Sequence, residues 1–274
     1  MTSIDRVHGL TRERFVREYL APRRPVAVSG AMDDWPALAR WDFAFFRSLA
    51  AGAGADTEVE VEVGDCLREP TVRERWRFAD YVAAIAEGRL PAAAPDRVPY
   101  LSVFPLFATF PQLRADVRQG LWPNRHVFHS AWIGPAGTFS GLHYDRYHGL
   151  LAQIRGRKRV VLYPPEQWER MYESRKFDRG TVVSQVDARR PEDDRFPRFR
   201  EARGAEVLLE PGQMLFIPRG WPHHVLALEP SISLSCFGQT RRDLVLSEPR
   251  DFVRNTLHAL GLYRRGDCTC HAGG

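Results

Sequence analysis

His143-Tyr144-Asp145 closes an apolar stretch, and Trp221-Pro222-His223-His224 follows about eighty residues later. Two imidazoles and one carboxylate can occupy one face of an octahedral metal and leave the opposite face open, the ligand set of non-heme Fe(II) oxygenases. The open positions can take an oxidisable co-substrate and then O2. His143 and Asp145 are two apart, so on a strand they share a face. His223 and His224 are adjacent, so a strand sends them to opposite faces and only one can join the pair. The aromatic turn Gly220-Trp221-Pro222 feeds directly into His223, which makes His223 the expected third ligand. His224 then points away as a structural or supporting group. Ligand type leaves zinc and manganese open beside iron. Three ordinary polar residues at strand ends are the bland reading of the same spacing. His8, His126, His129, His148, His258 and His271 have no such partner pattern.

Such a cluster needs strands from distant parts of the chain. From about residue 126, short apolar runs are separated by Gly, Pro and charged turns. They are Val127 to Ile133, Leu150 to Ile154, Arg159 to Tyr163, Glu206 to Leu209, Met214 to Ile217, His224 to Leu228 and Ile232 to Phe237. This density predicts a mainly β fold with flanking helices, a double-stranded β-helix or jelly roll of the cupin type. Residues 164–204 read as a polar, Arg-rich insert. Upstream, Thr11 can cap a helix carrying Phe15, Val16 and Tyr19, and Asp42 can start another through Phe43, Phe46 and Leu49. Pro25 to Ser29 reads as a short buried strand.

Residues 57–63 alternate strictly, placing Glu58, Glu60 and Glu62 on one face and Val59, Val61 and Val63 on the other. One wet sheet face is the plain reading; a surface recruiting a basic substrate is the second. Phe78 to Ala86 reads as a helix closed by Gly88. Beyond Ser247 a capped helix runs through Phe252, Leu257 and Leu260, and the Cys268-Thr269-Cys270-His271 tail reads as disordered. The chain thus divides into mixed elements over 1–96, the core over 97–240, and a C-terminal helix and tail over 241–274.

Of 274 residues, 44% are apolar, enough to bury a core. The formal charge of +5 permits an acidic partner without calling for nucleic acid. The four cysteines show no disulfide framework, the N-terminus lacks the apolar core of a signal peptide, and no apolar run is long enough to span a membrane. A reducing cytoplasm is the expected compartment.

Two long motifs carry a family resemblance. Ser140-Gly-Leu-His-Tyr-Asp-Arg-Tyr-His-Gly-Leu-Leu-Ala-Gln-Ile-Arg-Gly-Arg-Lys-Arg-Val-Val-Leu-Tyr-Pro-Pro165 and Pro211-Gly-Gln-Met-Leu-Phe-Ile-Pro-Arg-Gly-Trp-Pro-His-His224 resemble the two halves of the JmjC, or cupin-like, 2-oxoglutarate oxygenase core. Ser184-Gln-Val-Asp187 and Arg195-Phe-Pro197 are similar to the hypoxia-inducible-factor asparaginyl hydroxylase branch. The likeness covers roughly 97–240 and is weaker from Pro25 onward. It implies Fe(II) held by His143, Asp145 and His223, with 2-oxoglutarate and O2 as co-substrates. It places Lys158 on the distal carboxylate of 2-oxoglutarate, where a remote negative charge needs a cation. Ser140 and Tyr100 would stand beside that carboxylate. A solvated turn lysine and a buried core tyrosine are the alternatives for Lys158 and Tyr100.

The implied reaction is hydroxylation of an unactivated C–H, with a peptide or protein side chain as the first expected substrate and a small molecule as the second. Lysine demethylation uses the same step, and RNA-base hydroxylation has only the mild basic charge behind it. Val182 and Val183 replace polar positions of the asparaginyl hydroxylases, and Ser235 and Phe237 replace an asparagine and a tryptophan, so the resemblance implies a different substrate. The C-terminal helix is similar to the element through which relatives form homodimers, although shorter. A binding module that has lost its chemistry is the rival class, and filled ligand positions argue against it. A zinc hydrolase or cupin isomerase would have no need of Lys158.

Overall fold

The alternating segments pair into strands wherever one face can be buried. The computed structural model describes residues 3–53, 57–65, 67–68, 72–90, 97–118, 120–123, 127–246, 248–264 and 267–269. Among these, the strands are β1 (Asp5–His8), β2 (Val26–Ser29), β3 (Glu58–Val63), β4 (Arg73–Arg77), β5 (Pro99–Phe104), β6 (Val127–Gly134), β7 (Phe139–Asp145), β8 (His148–Arg155), β9 (Lys158–Leu162), β10 (Thr181–Val183), β11 (Ala205–Leu209), β12 (Gln213–Ile217), β13 (His223–Ala227) and β14 (Ser231–Gly238). The α-helices are α1 (Arg12–Phe15), α2 (Pro36–Arg40), α3 (Phe43–Ala53), α4 (Phe78–Ala86), α5 (Leu106–Thr109), α6 (Arg241–Leu246) and α7 (Glu248–Ala259). Thr11 caps α1 by accepting from the Arg14 amide, and Asp42 accepts from the Phe45 amide at the start of α3.

A larger sheet has the order β1-β2-β12-β8-β14-β6-β5-β3-β4, and a smaller one the order β10-β7-β13-β9-β11. Chain order from β6 to β9 and from β11 to β14 alternates between the sheets, so the fold is a jelly roll of the cupin type. The N-terminal strands lengthen the larger sheet at both edges.

Three apolar clusters hold these layers. The largest packs Phe15, Trp41, Phe46, Phe78 and Phe110 with Phe216 and Ile133 of the larger sheet. A second fills the space between the sheets with Leu151, Val160, Leu162, Leu209 and Leu215. A third joins Leu142 and Tyr163 to Met171, Val186, Phe196 and Phe199 of the insert.

Two expectations are corrected. The 164–204 insert does more than interrupt the roll, because its strand β10 pairs with β7, with Val183 opposite His143. The tail is ordered at Cys268 and Thr269, both buried, since Cys268 forms a parallel bridge to Phe177 through Phe177 N to Asp267 O (2.8 Å) and Thr269 N to Phe177 O (3.0 Å). Cys270, His271 and the Ser247 cap lie outside the described residues. Among the described residues Cys236 is a free thiol.

The β8–β9 turn tests this packing. Gly156 has φ +72°, and a Cβ there would lie 2.3 Å from the Pro230 carbonyl oxygen. Gly156→Ala is expected to lower stability by about 2 kcal/mol or more, read as a fall in the denaturant midpoint. An unchanged midpoint would contradict this turn.

Candidate active site

His143 on β7 and His223 on β13 are direct antiparallel partners, with ring centroids 4.3 Å apart. His143 Nδ1 lies 2.6 Å from Gly141 O, and His223 Nδ1 lies 2.9 Å from Trp221 O. A carbonyl only accepts, so each Nδ1 carries a proton and each Nε2 is the atom turned toward Asp145. His143 Nε2 is 3.6 Å from Asp145 Oδ1, and His223 Nε2 is 3.8 Å from Asp145 Oδ2. One ligand atom from each residue falls within 4.8 Å of the others.

The β7–β13 ladder contains a bulge. His223 faces His143, but Val225 faces Ser140, so two residues of β13 oppose three of β7. The bulge re-aims the strand. Ser140 joins His143 and Asp145 on the cavity side, while Leu142 turns outward into the insert's cluster.

Burial, reinforced by His143, holds the His223 imidazolium well below its ordinary range, so the ring is neutral. Burial raises the Asp145 carboxyl to about 6, against the pull of His143. Two imidazole nitrogens and a carboxyl group converge, a donor set suited to a divalent cation. His224 lies on the opposite face against Phe139 and Tyr163, and burial brings it down to about 4.

Lys158 begins β9 and is only 1% exposed. Its Nζ donates to Tyr100 OH at 3.2 Å, and Ser140 also hydrogen-bonds this phenol. Burial brings the ammonium down to about 7 and lifts the Tyr100 phenol well above its usual range. Among the described residues no carboxylate pairs with Lys158. A solvated turn lysine is thus excluded, and a buried cation without an anion is costly to keep. Lys158, Tyr100, Ser140 and the three metal-type donors all line one cavity of about 590 Å³. The ammonium suits an anionic group in a cavity that the donor cluster also lines.

Glu60 and Glu62 also line this cavity, so the acidic face of β3 is partly a site surface. Arg75 and Arg73 stand across from them on β4, at 3.8 and 3.9 Å. Phe237 stacks on Phe128 with centroids 5.0 Å apart, and Tyr147 meets Phe128 edge-on. Trp132 Nε1 donates to Ser235 Oγ at 2.8 Å. Asp65, Trp132, Asp178 and Thr269 line the cavity without any signal in sequence spacing. Ser184 and Asp187 do not: Ser184 donates to Met171 O, and Asp187 pairs with Arg189.

Of the other histidines, His148 pairs with Asp243, His258 stacks on Phe177 and His129 meets Phe107 edge-on. His8 lies 3.2 Å from the Ser29 hydroxyl. His126 and His271 lie outside the described residues.

A family model described as "Cupin-like domain" matches residues 12–242. The chain is 34% identical over 247 residues to lysine-specific demethylase 8 of Xenopus tropicalis, covering 85% of this chain and 52% of that protein. It is 28% identical over 236 residues to JmjC domain-containing protein D of Dictyostelium discoideum, covering 80% and 52%. It is 31% identical over 247 residues to tRNA wybutosine-synthesizing protein 5 of Gallus gallus, covering 84% and 74%. The chain spans about half the length of the first two. These relatives place the likeness at the level of the JmjC and cupin-like superfamily and do not support the asparaginyl hydroxylase branch in particular. No helix among the described residues is long and apolar enough to cross a membrane.

The burial of Lys158 predicts a stability signature. Its folded value of about 7 lies below the ordinary 10.5. Between those values the unfolded chain binds more protons, so this group's penalty is fully present below about pH 7 and fades as pH rises toward 10. Lys158→Met should therefore stabilise the fold at pH 6 by about 1–2 kcal/mol, a Tm rise of a few degrees, and flatten this pH dependence. A lower Tm would show that the ammonium is already satisfied.

Proposed function

The chain belongs to the cupin-like domain family, and from that premise we propose that it is an Fe(II)- and 2-oxoglutarate-dependent oxygenase that hydroxylates an unactivated C–H of a peptide or protein side chain. The observation that carries this reading is the pairing, in one cavity, of a His-Asp-His donor set with a buried ammonium that has no carboxylate partner among the described residues. His143, Asp145 and His223 would hold the iron. Lys158, with Tyr100 and Ser140, would bind the remote carboxylate of 2-oxoglutarate. When bound, the metal and keto acid would supply O2 activation, with the keto acid oxidatively decarboxylated to succinate and CO2.

The chain's own residues orient and shield. The carbonyls of Gly141 and Trp221 fix both imidazoles through Nδ1. Leu151, Ile217 and Val225 line the cavity and limit water there. Glu60, Glu62 and Asp178 line it as well, beside Arg73 and Arg179, so the lining carries charges of both signs. The peptide reading is also consistent with similarity to a protein named for lysine demethylation.

Lys158 gives the binding step a pH signature. At pH 8 an ammonium with a value of about 7 is mostly neutral, and it must regain a proton opposite a carboxylate. Calorimetry of Mn(II)-loaded protein with 2-oxoglutarate, run in buffers of different ionisation enthalpy, should show proton uptake at pH 8 and weaker affinity as pH rises. Fe(II)-loaded protein with 2-oxoglutarate and a peptide library should yield succinate and peptides gaining one oxygen, with His143→Ala inactive. Absence of any 2-oxoglutarate affinity in the metal-loaded protein defeats this reading.

A homodimer is the proposed assembly. α6 and α7 expose Val245 (74%), Phe252 (68%) and Val253 (55%), and Leu260 follows at 65%. Such an apolar surface suits a second copy of the chain. Light scattering should report a dimer that Phe252→Glu converts to monomer; a wild-type monomer rules the assembly out.

A further inference from the structure

The family match ends at residue 242, yet two aspartates just beyond it reach back to the candidate metal centre. Asp243 of α6 and His148 at the head of β8 both have side chains with 0% exposure. The Arg219 amide donates to His148 Nδ1 at 3.2 Å, which leaves the His148 Nε2 proton to be donated to Asp243 Oδ2 at 2.9 Å. Arg23 donates to the other oxygen of Asp243 at 2.6 Å, and the Thr240 amide and hydroxyl donate at 3.0 and 2.5 Å. Burial alone would raise the Asp243 carboxyl; the bonds from His148 and Thr240 pull it well below the usual range.

Asp251 of α7 makes the second link. It accepts from Arg146 at 2.8 Å and from Arg219 at 3.3 Å, all three side chains being largely buried. Arg254, one turn further on the same face, donates to the carbonyls of Asp178 and Arg179 at 2.9 and 2.8 Å. Arg146 directly follows Asp145. Arg219 lies in the turn that feeds His223. Within that turn, Gly220 N donates to Asp145 O at 3.0 Å, and Trp221 Nε1 donates to Arg23 O.

We propose that α6 and α7 splint the candidate metal centre: Asp243 acting through His148, and Asp251 acting through Arg146 and Arg219, are positioning residues that fix the turns carrying Asp145 and His223. This rests on the metal reading above. The physical need is clear. Asp145 ends its strand and His223 begins its own, so the backbone next to each ligand passes into a turn on one side. A donor set must be held to about half an ångström to bind its ion well. Groups that orient ligands from behind typically contribute about 10–100-fold in metal affinity.

A general stability role would act differently, and Asp116 provides the contrast. It is a buried carboxylate held by Trp41 and Arg40, outside the cavity. Asp243→Asn, Asp251→Asn and Asp116→Asn would be made in the full chain. Mn(II) alone would be titrated by calorimetry, and amide exchange followed by mass spectrometry on metal-free protein. The splint predicts about 10-fold weaker Mn(II) binding in the first two variants. It also predicts faster exchange in peptides spanning 144–148 and 218–224. Asp116→Asn should lower Tm while leaving both readouts at their wild-type levels. The proposal is overturned if Asp243→Asn and Asp251→Asn keep wild-type affinity and exchange, or if Asp116→Asn loses as much. Asp251 lies nearer the surface, so its variant keeps the test valid if Asp243→Asn does not fold. Wild-type protein that takes up no Mn(II) defeats the metal reading instead, and the exchange pattern alone then decides whether the splint holds these turns.

Discussion

The pairing of β7 with β13 is the constraint on which the site depends. It sets His143 directly against His223, and no other contact could bring two imidazoles from positions eighty residues apart onto one point. Strand side chains alternate, so a slip of one residue would turn His143 outward and Leu142 inward. The other edge of β13 prevents that slip. It pairs with β9 in unbroken register from Leu162 opposite His223 to Lys158 opposite Ala227. One strand therefore fixes the separation between the buried ammonium and the His223 imidazole.

That arrangement concentrates unfavourable burial in one place. An ammonium, a carboxylate and two imidazoles are withdrawn from water around a cavity that packing does not fill. The stabilising aromatic mass lies elsewhere, on the outer face of the larger sheet. There Phe15 meets Phe216 edge-on at 4.9 Å, and Phe78 stacks on Phe104 at 5.5 Å. Separating the core that holds the fold from the cavity that carries the donor cluster lets the cavity stay open without weakening the scaffold. The N-terminal helices thus serve the site indirectly, by supporting the sheet that forms one wall of it.

Local chemistry was legible in the sequence; long-range return was not. Thr11 and Asp42 cap helices as their side chains dictate, and simple alternation separates His223 from His224. Alternation could not show the β7 bulge, which puts Ser140 on the same side as His143 despite odd spacing. β4, Arg-Glu-Arg-Trp-Arg, carries no apolar period because it is an edge strand whose charges answer those of β3. Lys158 sits among Arg155, Arg157 and Arg159, and composition alone gives no sign that one of four cations is buried. His148 and Asp243 meet across 95 residues of chain, a closeness that only the fold creates.

The same long-range closure shapes the mouth of the cavity. Arg73 of β4 lies 3.9 Å from Glu62 and donates to Thr269 O at 2.8 Å, and the Thr269 hydroxyl donates to Asp178. The end of the described chain is therefore part of the wall. Glu62 pairs across the ladder with Tyr100, and Tyr100 in turn accepts from Lys158, so acidic and basic groups meet within one stretch of the lining. The two sheets, and the residues near the C-terminus folded back onto them, thereby fix the charge that surrounds the His143–Asp145–His223 donors.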